Sequence, residues 1–198
     1  KLEAAGVTGE SRIIFSEPLK ISDNILFNRG MGFASFLMPA VLILIIHQTL
    51  FFGIAMLAGT ARERNSFGDL LVPGESVRHL TRIIFGKSLC YFLLYFVLSA
   101  YILEVIPRWF DLPHIGNLQT LTGLMIPFLL ATIFFSMTLS VFMRHRETGL
   151  VFLLFFSLIL LFMSGFSWPM SNIGRFWLVF GWIFPATHGI QGYLKINS

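Results

Sequence analysis

The sequence predicts an all-α polytopic membrane protein: four transmembrane helices and an outer re-entrant helical hairpin, with the end of an extracytoplasmic domain at the N-terminus. Three observations carry this. Of 198 residues, 56% are hydrophobic and only 12% charged, about half the charged share of a soluble domain. The apolar residues gather in long runs, not in the short stripes that a soluble core needs. The basic residues behind the net charge of +4 sit in short loops between those runs, as orientation signals do. Nucleic-acid binding, which needs them gathered on one face, is not indicated. Cys90 is the single cysteine, so no internal disulfide is available.

Residues 1–34 are polar and mixed, punctuated by Gly6, Gly9, Pro18, Asn28 and Gly30, with short strand character at Ser11–Phe15. They read as the end of a water-exposed domain whose beginning is missing, because Lys1 is not an initiator and no signal peptide precedes the first apolar run. The first span covers about 35–58, and as a helix would reach roughly 36 Å across a hydrocarbon core of about 30 Å. Residues 59–82 break the pattern with Arg62, Glu63, Arg64, Asp69, Pro73, Glu75, Arg78 and Arg82. The second span, 83–106, carries Lys87 within snorkelling reach of its end. After a short loop with Arg108, Trp109 and Asp111, the third span, 118–143, contains Pro127, which membrane helices tolerate. Arg144-His145-Arg146-Glu147 turns the chain into the fourth span, 149–165.

Residues 166–198 behave differently. The apolar run from Phe176 to Ala186 is too short to cross. Trp168-Pro169, Pro185, Gly189 and Gly192 punctuate it as two half-helices that dip into one face and return.

The short connections set the orientation. Arg62, Arg64, Arg78 and Arg82 lie in one loop and Arg144 and Arg146 in another, whereas the loop between the second and third spans has only Arg108. Lys1, Arg12, Lys20 and Arg29 belong to a longer domain, to which the positive-inside rule applies poorly. Loops 59–82 and 144–147 are therefore expected in the cytoplasm, with Trp109, Trp168, Trp177 and Trp182 forming an outer aromatic belt.

Signals for chemistry are sparse. Gly86-Lys87-Ser88 resembles the end of a P-loop, but Thr81 stands where its first glycine belongs and the segment enters a membrane span. The histidines are scattered, and no metal or nucleophile motif appears. His47 and Gln48 form a polar pair at the middle of the first span. They mark either a functional site or an interhelical hydrogen bond that fixes packing. Thr132, Ser136 and Ser140 recur at i, i+4 and i+8 on the third span, a stripe that suits helix packing or the lining of a polar passage.

The loop after the first span carries the most information. Ala61-Arg62-Glu63-Arg64, Gly68, Leu70-Leu71-Val72-Pro73 and Gly86-Lys87 follow in an order that resembles permeases of the type-2 ABC exporter family. Leu26-Phe27-Asn28-Arg29 with Phe36-Leu37-Met38-Pro39 resembles that family's entry into its second span. Ser164 to Met170 and Phe184 to Gly189 resemble its outer hairpin. Asp69 departs from the threonine usual there. The resemblance implies a fragment lacking the first and last spans, in a multi-pass bacterial inner membrane protein. It implies a second permease unit, identical or homologous, and a separate ATP-binding cassette subunit that hydrolyses ATP, so that this chain needs no cofactor of its own. A periplasmic adaptor is a further partner of the family type. Loop 59–82 would hold the coupling helix, with Phe67, Leu70 and Leu71 as apolar contacts and Arg62, Glu63 and Arg64 as polar anchors. Apart from the resemblance, the functional reading of their polarity makes His47, Gln48, Thr132, Ser136 and Ser140 candidates to line a translocation path, with helix packing as the alternative. Two other readings stay open: an intramembrane enzyme acting on lipid or lipid-linked substrate through His114, Glu104 or His188, and a non-catalytic scaffold subunit.

Overall fold

A computed structural model describes residues 33–64, 77–110, 117–165 and 172–197. The described residues are helical, without strands. Helix α1 (Phe33–Glu63) is followed by α2 (Val77–Ala100), which continues through a π turn (Tyr101–Val105) into α3 (Ile106–Trp109). Then come α4 (Leu118–Ser140), α5 (Arg146–Met163), α6 (Arg175–Trp182) and α7 (Pro185–Asn197). Four segments are long and apolar enough to cross a membrane: Ala40–Glu63, Arg78–Trp109, Gln119–Ser140 and Arg146–Met163. The expected strand at Ser11–Phe15 and the rest of 1–32 lie outside the described residues.

Helix α1 is the hub. It packs against α5, α4 and α7 and barely touches α2. Its most apolar stretch is 56% buried, against 17% for the α2 segment and 11% for α5, which leaves those two to face lipid. Ile43, Ile46, Leu50 and Ile54 recur on one side of α1 and meet Leu121, Met125, Phe128, Leu129 and Ile133 of α4. Such i, i+3, i+4 spacing brings one stripe of a helix into continuous contact.

The helix ends depart from the sequence boundaries for local reasons. Helix α1 runs past 58 to Glu63 because no proline interrupts 58–63, Gly59 is held by close packing on the turn at His145–Arg146, and its last charges find partners in the bundle. The π turn in the second span precedes Pro107, which cannot donate a backbone hydrogen bond to Leu103. There the Ile106 N–H reaches back to the carbonyl of Tyr101. Helix α4 opens on Asn117, whose side chain accepts from the Gln119 N–H at 3.3 Å, and passes Pro127 without a break. Helix α5 stops at Gly165, whose φ of 73° is a left-handed stop that favours glycine.

Helices α6 and α7 form a short hairpin. Its tip, Phe184, sets its ring 5.4 Å from those of Phe135 on α4 and Phe156 on α5. Gly189 then lies against Phe128 and Ile43, and Gly192 against Leu124. From Phe135 to Leu124 is a climb of about 16 Å along α4, so α7 runs antiparallel to it. A Cβ on Gly189 would come within 2.6 Å of the Phe128 ring, and one on Gly192 within 2.5 Å of Leu124 Cδ1. The two glycines let α7 approach closely. The Thr187 hydroxyl donates to the Gly181 carbonyl at 2.8 Å, and Gln191 donates to the Ser164 carbonyl at 2.6 Å, tying the hairpin to itself and to the end of α5. Trp182, expected in an interfacial belt, lies two residues before this tip and is exposed.

Candidate functional site

Two polar assemblies flank α1, one at its C-terminal end and one midway along it. The first is a clasp on the turn between α4 and α5. The last carbonyls of α4 have no intrahelical partner and carry partial negative charge. Arg62 Nη1 donates to the carbonyl of Ser140 at 3.2 Å and to that of Met143. The neighbouring residue treats the start of α5 in the opposite sense. His145 occupies the N-cap position without a side-chain bond. Glu63 supplies the acceptor, with Oε1 taking the backbone N–H of Arg146 at 2.9 Å. Its carboxylate also lies 3.8 Å from His145 Nδ1 and 3.9 Å from Arg146 Nε. One guanidinium and one carboxylate, adjacent in sequence, thus cap opposite helix ends.

Small residues make the clasp possible. A Cβ on Gly59 would fall 2.6 Å from the Arg146 nitrogen and 2.7 Å from the His145 carbonyl carbon. A Cβ on Gly149 would meet that of Ala55 at 3.2 Å. Ala55 and Gly59, four apart on α1, form a small-xxx-small face that brings two backbones together.

Of the residues expected to anchor an ATPase, Arg62 and Glu63 are thus engaged with the chain's own turn. Arg64 is exposed at the end of the helix, its N–H bonded to the Thr60 carbonyl at 3.1 Å. Phe67, Leu70 and Leu71 lie outside the described residues.

The second assembly contains His47 and Gln48, both buried. Among the described residues neither His47 nitrogen has a hydrogen-bond partner, nor does Gln48 Nε2. Leaving such groups unsatisfied costs about 1–3 kcal/mol each. They border a cavity of about 10 Å³ with Phe51, Phe135, Leu139, Phe156, Leu160 and Phe184. That volume holds about one water. The hairpin tip therefore closes a small void into which an otherwise unpaired polar pair is set. Thr132 and Ser136 are also fully buried, yet their hydroxyls donate to the carbonyls of Phe128 at 2.8 Å and Thr132 at 2.6 Å. Ser140 does likewise to Met137 at 2.7 Å. The stripe satisfies itself along α4 and offers no hydroxyl proton to the His47–Gln48 void.

Gly86-Lys87-Ser88 lies inside continuous helix α2. Its N–H groups serve the helix and are not gathered into a phosphate cradle. Ser88 donates to the Ile84 carbonyl at 2.8 Å and contacts Met137 Sδ at 3.3 Å. The residues considered for interfacial catalysis are engaged locally as well. Glu104 pairs with Arg108 at 2.7 Å, and His188 Nε2 meets the Trp182 carbonyl at 2.8 Å. His114 lies outside the described residues. Among the described residues no three His, Cys, Asp or Glu side chains are grouped for a metal. Gly59 and Phe184 went unnoticed as site residues in the sequence. The spacing of Ala55 and Gly59 was the available signal for the first; nothing local marks the second.

Four helices long and apolar enough to cross a membrane, with a buried polar pair midway along the first and that helix joined to the turn between the last two, have the architecture of a polytopic membrane domain. Comparison with protein families agrees: residues 3–198 match the ABC-2 family transporter proteins. The chain belongs to that family, and so is the multi-pass permease subunit of an ABC transporter, a type of subunit that normally works with an ATP-binding cassette partner. No curated protein and no solved structure matches the chain.

Proposed function

We propose that this permease works as an exporter, moving its substrate out of the cytoplasm with ATP hydrolysed on a separate subunit docked at loop 59–82. The direction rests on the basic loops expected in the cytoplasm, and the observation that carries the coupling is the clasp. Arg62 and Glu63 stand at the point where α1 enters that loop, and they hold the turn between α4 and α5. A displacement of the loop therefore reaches three spans at once. The same α1 carries His47 and Gln48 to the void beneath Phe184. Tilting α1 against the hairpin opens that void to water and substrate, which gives the buried polar pair its use. Helices α6 and α7 act as a re-entrant hairpin on the outer face, and a second permease unit completes the pathway. ATP binds the partner only, and an outer adaptor is compatible with the hairpin side.

Phe67, Leu70 and Leu71 are large hydrophobes clustered in a loop rich in charged residues, as a few buried contacts with a partner require. The test is a double change, Leu70→Asp with Leu71→Asp. The permease should still insert and be recovered in normal amounts, yet lose co-purification with its ATP-binding subunit, and transport-linked ATP hydrolysis should fall with it. Retained association with unchanged hydrolysis would remove the coupling role from this loop.

A further inference from the structure

On the side of α1 away from α5, helices α1, α2 and α4 part. Helix α2 leans on α4 through Phe85 against Phe134, 6.4 Å between rings, and through Ser88 on Met137. It leaves a cleft of about 520 Å³ against α1, within the range of about 300–1,000 Å³ typical of ligand sites. The walls are mostly apolar, from Ile54 and Leu57 on α1 through Ile84 and Tyr91 on α2 to Phe134 and Met137 on α4. Lys87 and Arg62 add two positive charges, and no lining residue is acidic. Arg62 is held by its carbonyls, but its charge remains. Lys87 is exposed and makes no hydrogen bond or ion pair with another described residue.

Depth matters here. Lys87 stands about 33 Å along the helical segment from Trp109, close to the thickness of a hydrocarbon core, about 30 Å. With Trp109 at one interface, the Lys87 ammonium falls at the other. Tyr91 lies one turn deeper into the adjoining leaflet and Ile54 about 12 Å from Arg62 along α1, while Leu80, Ile83 and Ile84 line the cleft on the water side of Lys87. An apolar cleft with two cations in its wall, one of them at headgroup level, complements an anionic lipid. Basic pockets between membrane helices take anionic lipid headgroups for this reason.

We propose that this cleft is a binding site for an anionic phospholipid of the leaflet that carries Lys87. The phosphate pairs with Lys87 beside Arg62, and an acyl chain lies between α1, α2 and α4. The site is separate from the void under Phe184 and shares Arg62 and Ser140 with the clasp, whereas Lys87 and Ala58, the residues varied below, belong to neither.

The test is native mass spectrometry of the delipidated, detergent-solubilised protein, titrated with phosphatidylglycerol or phosphatidylcholine of the same acyl chains. The wild type should prefer phosphatidylglycerol. Lys87→Gln should reduce that preference roughly fivefold, as expected for a pair worth about 1 kcal/mol near the headgroups, while Lys87→Arg keeps it. Ala58→Trp, which fills the cleft, should reduce retention of both lipids. Thermal melts of each variant separate loss of lipid from loss of fold. An unchanged preference in Lys87→Gln, or unchanged retention in a folded Ala58→Trp variant, would overturn the proposal. Full competition by soluble glycerol phosphate would overturn it too, since the acyl chain would then contribute nothing. So would a second copy of the chain cross-linking through a cysteine placed at Ala58 with no lipid retained.

Discussion

The carboxylate of Glu63, on the last turn of α1, accepts the backbone N–H of Arg146, the first residue of α5, at 2.9 Å. Arg62 beside it reaches the carbonyl of Ser140, the last residue of α4, and that of Met143 in the turn that follows. A negative group at a helix start and a positive one at a helix end each match the local backbone charge. The arrangement fixes the rotation of α1 as well as its position, because a turn of one residue would exchange the two charges.

Removing the cap should loosen the turn without unfolding the bundle. Glu63→Ala is expected to cost about 1 kcal/mol, the usual effect of losing a side-chain acceptor at a helix N-terminus. Hydrogen exchange should accelerate at residues 144–148 and change little in α7. Glu63→Gln retains an acceptor oxygen and should lie between the two. Equal exchange in all three proteins would show that the cap is idle.

Gly59 should tolerate very little. Its Cβ would meet backbone atoms of His145 and Arg146, which cannot swing aside as a side chain can. Gly59→Val is expected to destabilise by about 1–3 kcal/mol or more through overpacking. Gly86 is the control: a Cβ there meets nothing within 4 Å. Gly86→Ala should be neutral or stabilise by about 0.5–1 kcal/mol, the helix preference of alanine over glycine. Melting temperatures in detergent decide the comparison, and equal behaviour of the two sites would contradict the close approach of α1 to α5.

How far the sequence foretold this differs from element to element. The four spans were legible because lipid imposes a long apolar run whatever the neighbours are. The end of α1 was not, because what holds Arg62 and Glu63 lies about 80 residues away in sequence. The charges of the loop were read as partner anchors for the same reason: an intrachain partner across that separation leaves no local trace. Pro185, Gly189 and Gly192 announced two short helices, but not that the tip would seat Phe184 between Phe135 and Phe156. His47 and Gln48 stood out from their span at once, whereas the bonds that absorb the Thr132, Ser136 and Ser140 hydroxyls are internal to α4 and look, in sequence, like a free polar stripe.

Phe184 offers a test of the void. Phe184→Ala removes the ring that lies against Phe135 and Phe156 and borders His47 and Gln48. Water should then reach the pair. In a background lacking Cys90, a cysteine replacing Gln48 should react slowly with a small thiol reagent when Phe184 is intact, and markedly faster in the Phe184→Ala protein. Phe176→Ala, on the exposed face of α6, should leave the rate unchanged. Equal rates in all three would place the barrier to water elsewhere than at the hairpin tip.

Orientation is the prediction on which the direction of transport depends. The dense basic character of loops 59–82 and 144–147 predicts a cytoplasmic location for both by the positive-inside rule, which counts Lys and Arg in short connections. The structure adds a physical reason why both loops share a side: Glu63 and Arg146 are hydrogen-bonded, so one cannot be inverted without the other. Single cysteines at Ser66 and at His145, whose side chain is exposed, with Cys90 removed, should therefore behave alike. Both should be shielded from an impermeant thiol reagent in intact cells and become reactive once the cells are permeabilised. A cysteine at Gly116, in the connection between the second and third spans, should label in intact cells. Labelling at Ser66 and His145 with protection at Gly116 would invert the chain in the membrane, and would place loop 59–82 where no ATP-binding subunit reaches it. A split between Ser66 and His145 would instead contradict the clasp, since the two flank residues held within one hydrogen bond of each other.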